Sequence, residues 1–342
     1  MLHKKLGRTG LKVSRICLGT MTYGSQVSEV DAIKIIKSAL AAGVNFLDTA
    51  NAYPPAITGK SEEIIGKALK GERHSAVIAT KVGARIAPGP NDEGLSRGHI
   101  IKGIEDSLRR LQTDYIDLCY AHFPDYDTPM EETLSTMDDL VHQGKIRYIG
   151  CSNFSAWQLC KALWVSDVHN LVRYDCIEPP YNLLTRDIEN ELLPLCASEG
   201  VGVCVYNPLA GEMLTGRHEF GKSPAEGRFT DKIMGQGYLE RYWSEMNFKA
   251  VDRFAKMAKE HGCSLAQFAL AWILNNETIT SFLSGLISTE QLKENLGAIE
   301  IKLSQEDLQV CDEMWQMFRP PRYSYYKAKA QVDRRDTLIR KA

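Results

Sequence analysis

At 342 residues, with 44% hydrophobic and 25% charged side chains and a net charge of -2, the chain has the composition of an ordinary globular protein. A balance of 41 Lys and Arg against 43 Asp and Glu offers no basic field for nucleic acid to follow, so small-molecule partners are expected. The N-terminus MLHKKLGRTGLKVSR carries no apolar run behind its basic residues, and no stretch reaches the roughly 18 apolar residues of a membrane span, so no membrane association and a cytoplasmic location are expected.

Short apolar runs of strand length alternate along the chain with longer segments of helical period, the pattern of parallel strands joined by helical crossovers. Residues 3 to 15 come first and read as a small hairpin around Gly7-Arg8-Thr9-Gly10. Strands are then predicted at Ile16-Cys17-Leu18, Val44 to Leu47, Ala76 to Ala79, Tyr115 to Tyr120, Ile146 to Gly150, Tyr174 to Ile177, Val201 to Val205 and Ser281 to Leu283. Helices are predicted over Ser28 to Ala42, Ser61 to Lys70, Ser96 to Leu111, Met130 to His142, Ser155 to Val168, Arg186 to Ser198 and Thr289 to Ala298. Ser or Thr at the starts and Gly after several ends supply partners for backbone groups that a helix leaves unpaired.

Eight such units without a break in composition predict one α/β domain over residues 1–342, a (β/α)8 TIM barrel with its core at about 3–318. The hairpin is placed as a plug on one barrel end. Residues 207 to 246, punctuated by Gly and Pro after the seventh strand, are too long for an ordinary connection and are expected to form a lid or binding loop. A basic tail begins at Arg319, with Tyr323, Tyr325 and Tyr326 among its cations, and is expected to dock over the barrel mouth. The nine cysteines include no CxxC pair, which suits reduced thiols in a reducing compartment.

Active sites of such barrels lie where the strands end. Asp48 ends VNFLD, Lys81 ends AVIATK, His122 ends YIDLCYAH, Ser152 and Asn153 follow IRYIGC, Glu178 ends CIE and Tyr206 ends VGVCVY. A tyrosine is a poor acid at neutral pH, and a neighbouring ammonium favours its phenolate. Lys81 could therefore make Tyr53 a usable proton donor, with Asp48 as the anion that holds Lys81 and His122 as a hydrogen-bonding partner for a carbonyl. No nucleophile stands beside a base, so hydride and proton delivery fit better than acyl transfer. No metal is required. Tyr23, Asn51, Tyr53 and His122 near the expected mouth, with the basic tail, suggest a polar, sugar-like substrate, and the loop from Gly83 to Gly94 is expected to shape its pocket.

The motifs LGTMTYG, NFLDTANAY, ATKVG, GLSRGHI, AHFPD, TPMEETL, GKIRYIGCSNFS, PPYNLL and YNPLAGEMLTGR occur in series, and in them the chain resembles the aldo-keto reductases from about residue 3 to about residue 318. The resemblance implies a nicotinamide cofactor lying across the C-terminal face, NADP(H) favoured and NAD(H) open, and reduction of an aldehyde or ketone or the reverse oxidation. It implies Asp48, Tyr53, Lys81 and His122 as catalytic, with Tyr23, Tyr53 and His122 facing substrate. For the cofactor it implies Gly19, Thr20, Met21, Asp48, Ser152, Asn153, Glu178 and Tyr206 around the nicotinamide, and Asn207, Pro208, Leu209, Ala210 and Gly211 along the ribose and pyrophosphate. Arg217 and Arg228 would clamp phosphate, and Gly285, Gln291, Glu294 and Asn295 would hold the adenosine end.

Two departures stand out. Glu178 occupies a place where similar sequences have glutamine, and a carboxylate cannot donate a hydrogen bond unless protonated. Ile287-Ser288 stands where many relatives place a base near the 2'-phosphate. The motifs GLSRGHI, TPMEETL and LTGR also resemble the β subunits of potassium channels, which leaves a cofactor-sensing regulatory subunit as the alternative. The chain opens almost directly on the hairpin with no N-terminal inactivation segment, so a free-standing enzyme is the expectation. Self-association into a homo-oligomer is left open.

Overall fold

Eight parallel strands close on themselves in a computed structural model that describes residues 1–318; the basic tail from Arg319 lies outside the described residues. The strands are β3 (Ile16–Gly19), β4 (Phe46–Asp48), β5 (Val77–Val82), β6 (Ile116–Ala121), β7 (Ile146–Ser152), β8 (Tyr174–Glu178), β9 (Gly202–Val205) and β10 (Ile279–Gly285). They pair in chain order, and β10 returns to β3, so no edge is left unpaired.

Side chains alternate across each strand. Cys17, Phe46, Ala79, Leu118, Tyr120, Cys176 and Cys204 form one cluster inside the barrel, distinct from the larger one between strands and helices. Tyr120 fits inside because Gly150 faces it without a side chain. A Cβ at Gly150 would stand 2.7 Å from the Tyr120 ring and 2.6 Å from the Cys176 carbonyl oxygen.

The expected hairpin forms from β1 (His3–Lys5) and β2 (Lys12–Ser14), paired antiparallel. Leu6 and Val13 are buried in the same inner cluster, so the hairpin does plug the barrel. Its turn sits against the start of β9: the Arg8 amide donates to the Gly200 carbonyl at 2.8 Å, and Gly7 has φ 54 and no room for a Cβ beside Gly200 and Gly202. The plugged end is therefore the N-terminal one, opposite the strand ends that carry the polar residues.

Asp175, next to the hairpin turn, gives a measurable consequence. Burial raises its carboxyl to about 6, against the pull of Arg8 and Arg173. A carboxyl raised by folding adds stability while protonated and loses it as pH climbs through the folded value. Asp175→Asn is therefore expected to gain stability relative to wild type between about pH 4 and pH 6, with no further change above that. Urea unfolding at several pH values checks this, and a constant difference across the range would show that Asp175 titrates normally.

The seven expected helices form as α1 (Glu29–Ala41), α2 (Lys60–Ala68), α3 (Arg97–Leu111), α4 (Met130–His142), α5 (Ala156–His169), α6 (Leu192–Glu199) and α10 (Thr289–Leu296), numbered in chain order. One start is corrected. Residues 187–189 make a short 3-10 turn and α6 begins only at Leu192, because Arg186 is buried in an ionic anchor rather than starting a helix. Its guanidinium meets Glu189 at 2.8 and 3.0 Å, the Cys311 carbonyl at 3.1 Å and the Asp312 carboxylate, and it lies 4.9 Å from the centre of the Trp272 ring.

Four further helices were not anticipated: α7 (Gly235–Tyr242), α8 (Glu245–Glu260), α9 (Leu265–Asn275) and α11 (Gln305–Phe318). In α9, LAQFALAWILN is buried on nearly every side, which hides the helical period. Pairing continues through the prolines after β8: Pro180 bridges to Tyr206, whose amide donates to the Pro179 carbonyl at 3.0 Å. All nine cysteines are free, and Cys160 is exposed. No described helix is long and apolar enough to cross a membrane.

Candidate active site at the C-terminal rim

Asp48, Lys81 and Glu178 sit at or next to the ends of β4, β5 and β8, and the barrel brings them together although up to 130 residues separate them. The Lys81 ammonium pairs with Asp48 Oδ1, stands 3.4 Å from Glu178 Oε1 and donates to the Thr49 carbonyl at 3.0 Å. All three side chains are buried, with 1%, 3% and 4% exposure for Lys81, Asp48 and Glu178. Burial works against the charge on Lys81, but Asp48 and Glu178 outweigh it and hold the amine well above its usual range. Lys81 is a fixed cation.

Tyr53 lies over this cation, with Nζ 5.2 Å from the ring centre. Burial raises the phenol well above its ordinary value, Lys81 opposes that, and Asp48 and Glu178 reinforce it. At neutral pH Tyr53 is therefore a neutral phenol with a proton to give. Its hydroxyl is 3.5 Å from His122 Nε2, and the two rings meet edge to face at 81°. Burial and then the Lys81 charge push the His122 imidazole down to about 3, so it is neutral and holds one N–H to donate. Phe123 stacks on its other side, 4.4 Å away and 9° from parallel.

Beside them is a hydrogen-bonded polar wall. The Tyr206 hydroxyl donates to Asn153 Oδ1 at 2.8 Å, which orients the amide so that Nδ2 donates to the His122 carbonyl at 2.9 Å and to Ser152 Oγ at 3.0 Å. Ser152 Oγ in turn donates to the Glu178 carbonyl at 2.8 Å. Asn153 adopts φ 64, the left-handed region that asparagine tolerates better than most residues.

Apart from Lys81 and Thr49, these residues line one cavity of about 870 Å³, within the range of small-molecule sites. Gly19, Thr20, Met21, Asn207, Pro208, Leu209 and Gly211 also line it, as do Arg217, Arg228, Gly285, Gln291, Glu294 and Asn295. Arg217 pairs with Glu212, whose Oε2 also accepts from the Arg228 amide at 3.1 Å. The insertion does cover the site, through both its loop and α7.

Three expected positions do not line the cavity, the first being Lys81, whose side chain is 1% exposed. Tyr23 is fully buried in the core, and Ala210 is also fully buried behind the wall, held by the turn in which Asn207 Oδ1 accepts from the Gly211 amide at 2.7 Å. Asn51, part of the case for a sugar-like substrate, is likewise buried away from it. From the loop after β5 only Ala84 and Arg85 reach the wall. Phe123 lines the cavity without having been anticipated, and Arg85, Glu212, Tyr238 and Arg241 line it from the two expected loops without having been singled out there. The spacing of Tyr238 and Arg241, three apart on one helix, is the one local signal that could have placed a pair of them.

A profile of the Aldo/keto reductase family matches residues 15–316. The chain belongs to the aldo/keto reductase family. It is accordingly an NAD(P)-dependent oxidoreductase. Among relatives of this family, it is 38% identical over 312 residues, 88% of this chain and 92% of the other, to a probable voltage-gated potassium channel subunit beta of Oryza sativa subsp. japonica. It is 38% identical over 323 residues, 92% and 96% of the two chains, to the uncharacterized oxidoreductase YrpG of Bacillus subtilis. A putative voltage-gated potassium channel subunit beta of Schizosaccharomyces pombe is 37% identical over 321 residues, 90% and 92% of the two chains.

The residues present fit the family's dinucleotide. The cavity is large enough, and its lining includes guanidinium groups for phosphate and an oriented amide and hydroxyl for a carboxamide. At Ile287-Ser288 no base is supplied: Ile287 is 55% exposed, and the Ser288 hydroxyl is occupied as the cap of α10, accepting from the Gln291 amide at 3.3 Å.

Proposed function

We propose that this member of the family is a cytoplasmic, NADP(H)-preferring reductase of aldehydes or ketones in which Tyr53 transfers the proton. The observation that carries this reading is the neutral phenol of Tyr53 set between a buried cation, Lys81, and a neutral imidazole, His122, at one cavity wall. When bound, the reduced nicotinamide supplies a hydride. Ser152, Asn153 and Glu178 would hold its carboxamide, Tyr206 its ring, and Arg217 and Arg228 its phosphates. His122 donates to the substrate carbonyl oxygen and orients it. Tyr53 gives that oxygen its proton, and Lys81 stabilises the phenolate left behind. Nine free cysteines suit a reducing compartment.

The substrate end combines Ala52, Pro55, Ala84 and Phe123 with Thr58 and Arg85, which suits a carbonyl compound of mixed polarity. With Tyr23 and Asn51 buried elsewhere, a sugar carbonyl rests on the remaining polar groups. Turnover on a panel of sugar-derived and apolar aldehydes separates the two substrate classes.

Fluorescence titration with NADPH and NADH tests the cofactor reading. NADPH is expected to bind at least about tenfold more tightly, or roughly 1.4 kcal/mol, with the gap narrowing in Arg228→Ala. Equal or tighter NADH binding would make Ile287-Ser288 decisive and favour oxidation. The names of the rice and fission-yeast relatives favour a second reading, a cofactor-binding regulatory subunit; tight NADPH binding with no turnover on any carbonyl would select it.

A further inference from the structure

The cluster around Lys81 does not balance its charges. Two carboxyl groups, Asp48 and Glu178, share one ammonium, and all three side chains are at most 4% exposed. The remaining titratable groups near Glu178 are the phenols of Tyr53, Tyr120 and Tyr206. Around the same carboxyl stand the thiols of Cys17, Cys176 and Cys204. None of these carries positive charge, and His122 is neutral. An uncompensated buried carboxylate is costly enough that the group takes up a proton instead.

Hydrogen bonding makes the same point. With both carboxyls ionised, Asp48 Oδ2 and Glu178 Oε2 are buried acceptors without any donor. The two side chains are nevertheless hydrogen-bonding neighbours, and a bond between carboxyls needs a proton on one of them. Asp48 makes the closer contact with Lys81, Glu178 the longer one at 3.4 Å.

We propose that Glu178 is a neutral carboxylic acid in the working protein, acting as a positioning residue whose one O–H donates to the Asp48 carboxylate while its other oxygen remains an acceptor beside Lys81. Building on the reductase reading, this gives Glu178 the task of holding Asp48, and through it Lys81, in place without adding a second negative charge beside Tyr53. It also explains how a glutamate can stand in this place. The neutral acid leaves Lys81 and Asp48 as the only charges of this buried cluster among the described residues, so a second anion there does not weaken the field of Lys81 on Tyr53. Burial, followed by the charge on Asp48, raises the Glu178 carboxyl well above the ordinary range, with Lys81 opposing.

Infrared spectroscopy of the full-length protein without cofactor tests this independently of any turnover. At pH 8 ordinary carboxyls are ionised, as is Asp175 with its value of about 6. A protonated-carboxyl C=O band that persists at pH 8, shifts in D2O and is lost in Glu178→Gln is the expected result. Absence of the band in wild type, or loss of an ionised-carboxylate band in Glu178→Gln, would overturn the proposal. If Glu178→Gln does not fold, the wild-type spectrum at pH 8 still decides. A persistent band in a protein that reduces no carbonyl would sink the reductase reading and leave this one standing.

Discussion

Tyr53→Phe is expected to lower kcat by about 10²- to 10⁴-fold, the usual contribution of a positioned general acid, while the NADPH dissociation constant stays within about threefold of wild type. The substitution removes one oxygen and keeps the ring that packs against His122 at 5.7 Å between centres. It leaves the Lys81–Asp48 pair, Asn153 and both arginines in place. Transition-state proton transfer is lost, but cofactor binding is not. Steady-state kinetics beside a fluorescence titration separate the two quantities. A variant with wild-type kcat would remove Tyr53 from the mechanism, and one that lost cofactor affinity in equal measure would make it a binding residue.

Lys81→Met carries the second large effect. It deletes the only cation of the buried cluster and is expected to cost about 3–5 kcal/mol of stability, the range for breaking a buried ion pair from one side. Activity should fall as well, since the phenolate of Tyr53 loses its partner. The stability loss has a sign in pH. Without Lys81, folding raises the Asp48 and Glu178 carboxyls further above their unfolded values, so the protonated forms support folding and the penalty grows as pH rises. Urea unfolding is therefore expected to show a smaller deficit at pH 5 than at pH 8. A deficit that is independent of pH would mean that lost packing, rather than lost charge, explains it. Lys81→Arg is not a rescue, because a planar fork cannot replace a compact ammonium set between two carboxyls.

Much of the site was legible before any fold was known, because barrel geometry makes strand ends meaningful. Asp48, Lys81, Ser152 and Glu178 each sit at or beside the end of an apolar run, with His122 and Asn153 directly after one, and the barrel turns that one-dimensional position into one rim. Tyr23 failed under the same reasoning. Its motif LGTMTYG follows β3, but the chain turns back there, the Tyr23 amide bonding to the Thr20 carbonyl at 3.0 Å, and the ring enters the core. Phe123 was missed, and Arg85 was not singled out within its expected loop, for the converse reason, since short loops leave little periodicity from which to read a direction. The helices α8 and α9 were missed because nothing before the fold separates an insertion from the crossover that follows it. Yet α8 carries Phe248, Val251, Phe254 and Ala258 on one buried stripe.

The sequence by itself determined the strand order, the plugging hairpin, the polar groups at the strand ends and the family. These follow from local periodicity and from residues adjacent in the chain. Only the tertiary structure decided how the charges divide, placing Lys81 between Asp48 and Glu178, burying all three and leaving His122 neutral beside Tyr53. Electrostatic energy depends on separation and on the surrounding dielectric, and neither quantity exists for residues 48, 81 and 178 until the barrel closes.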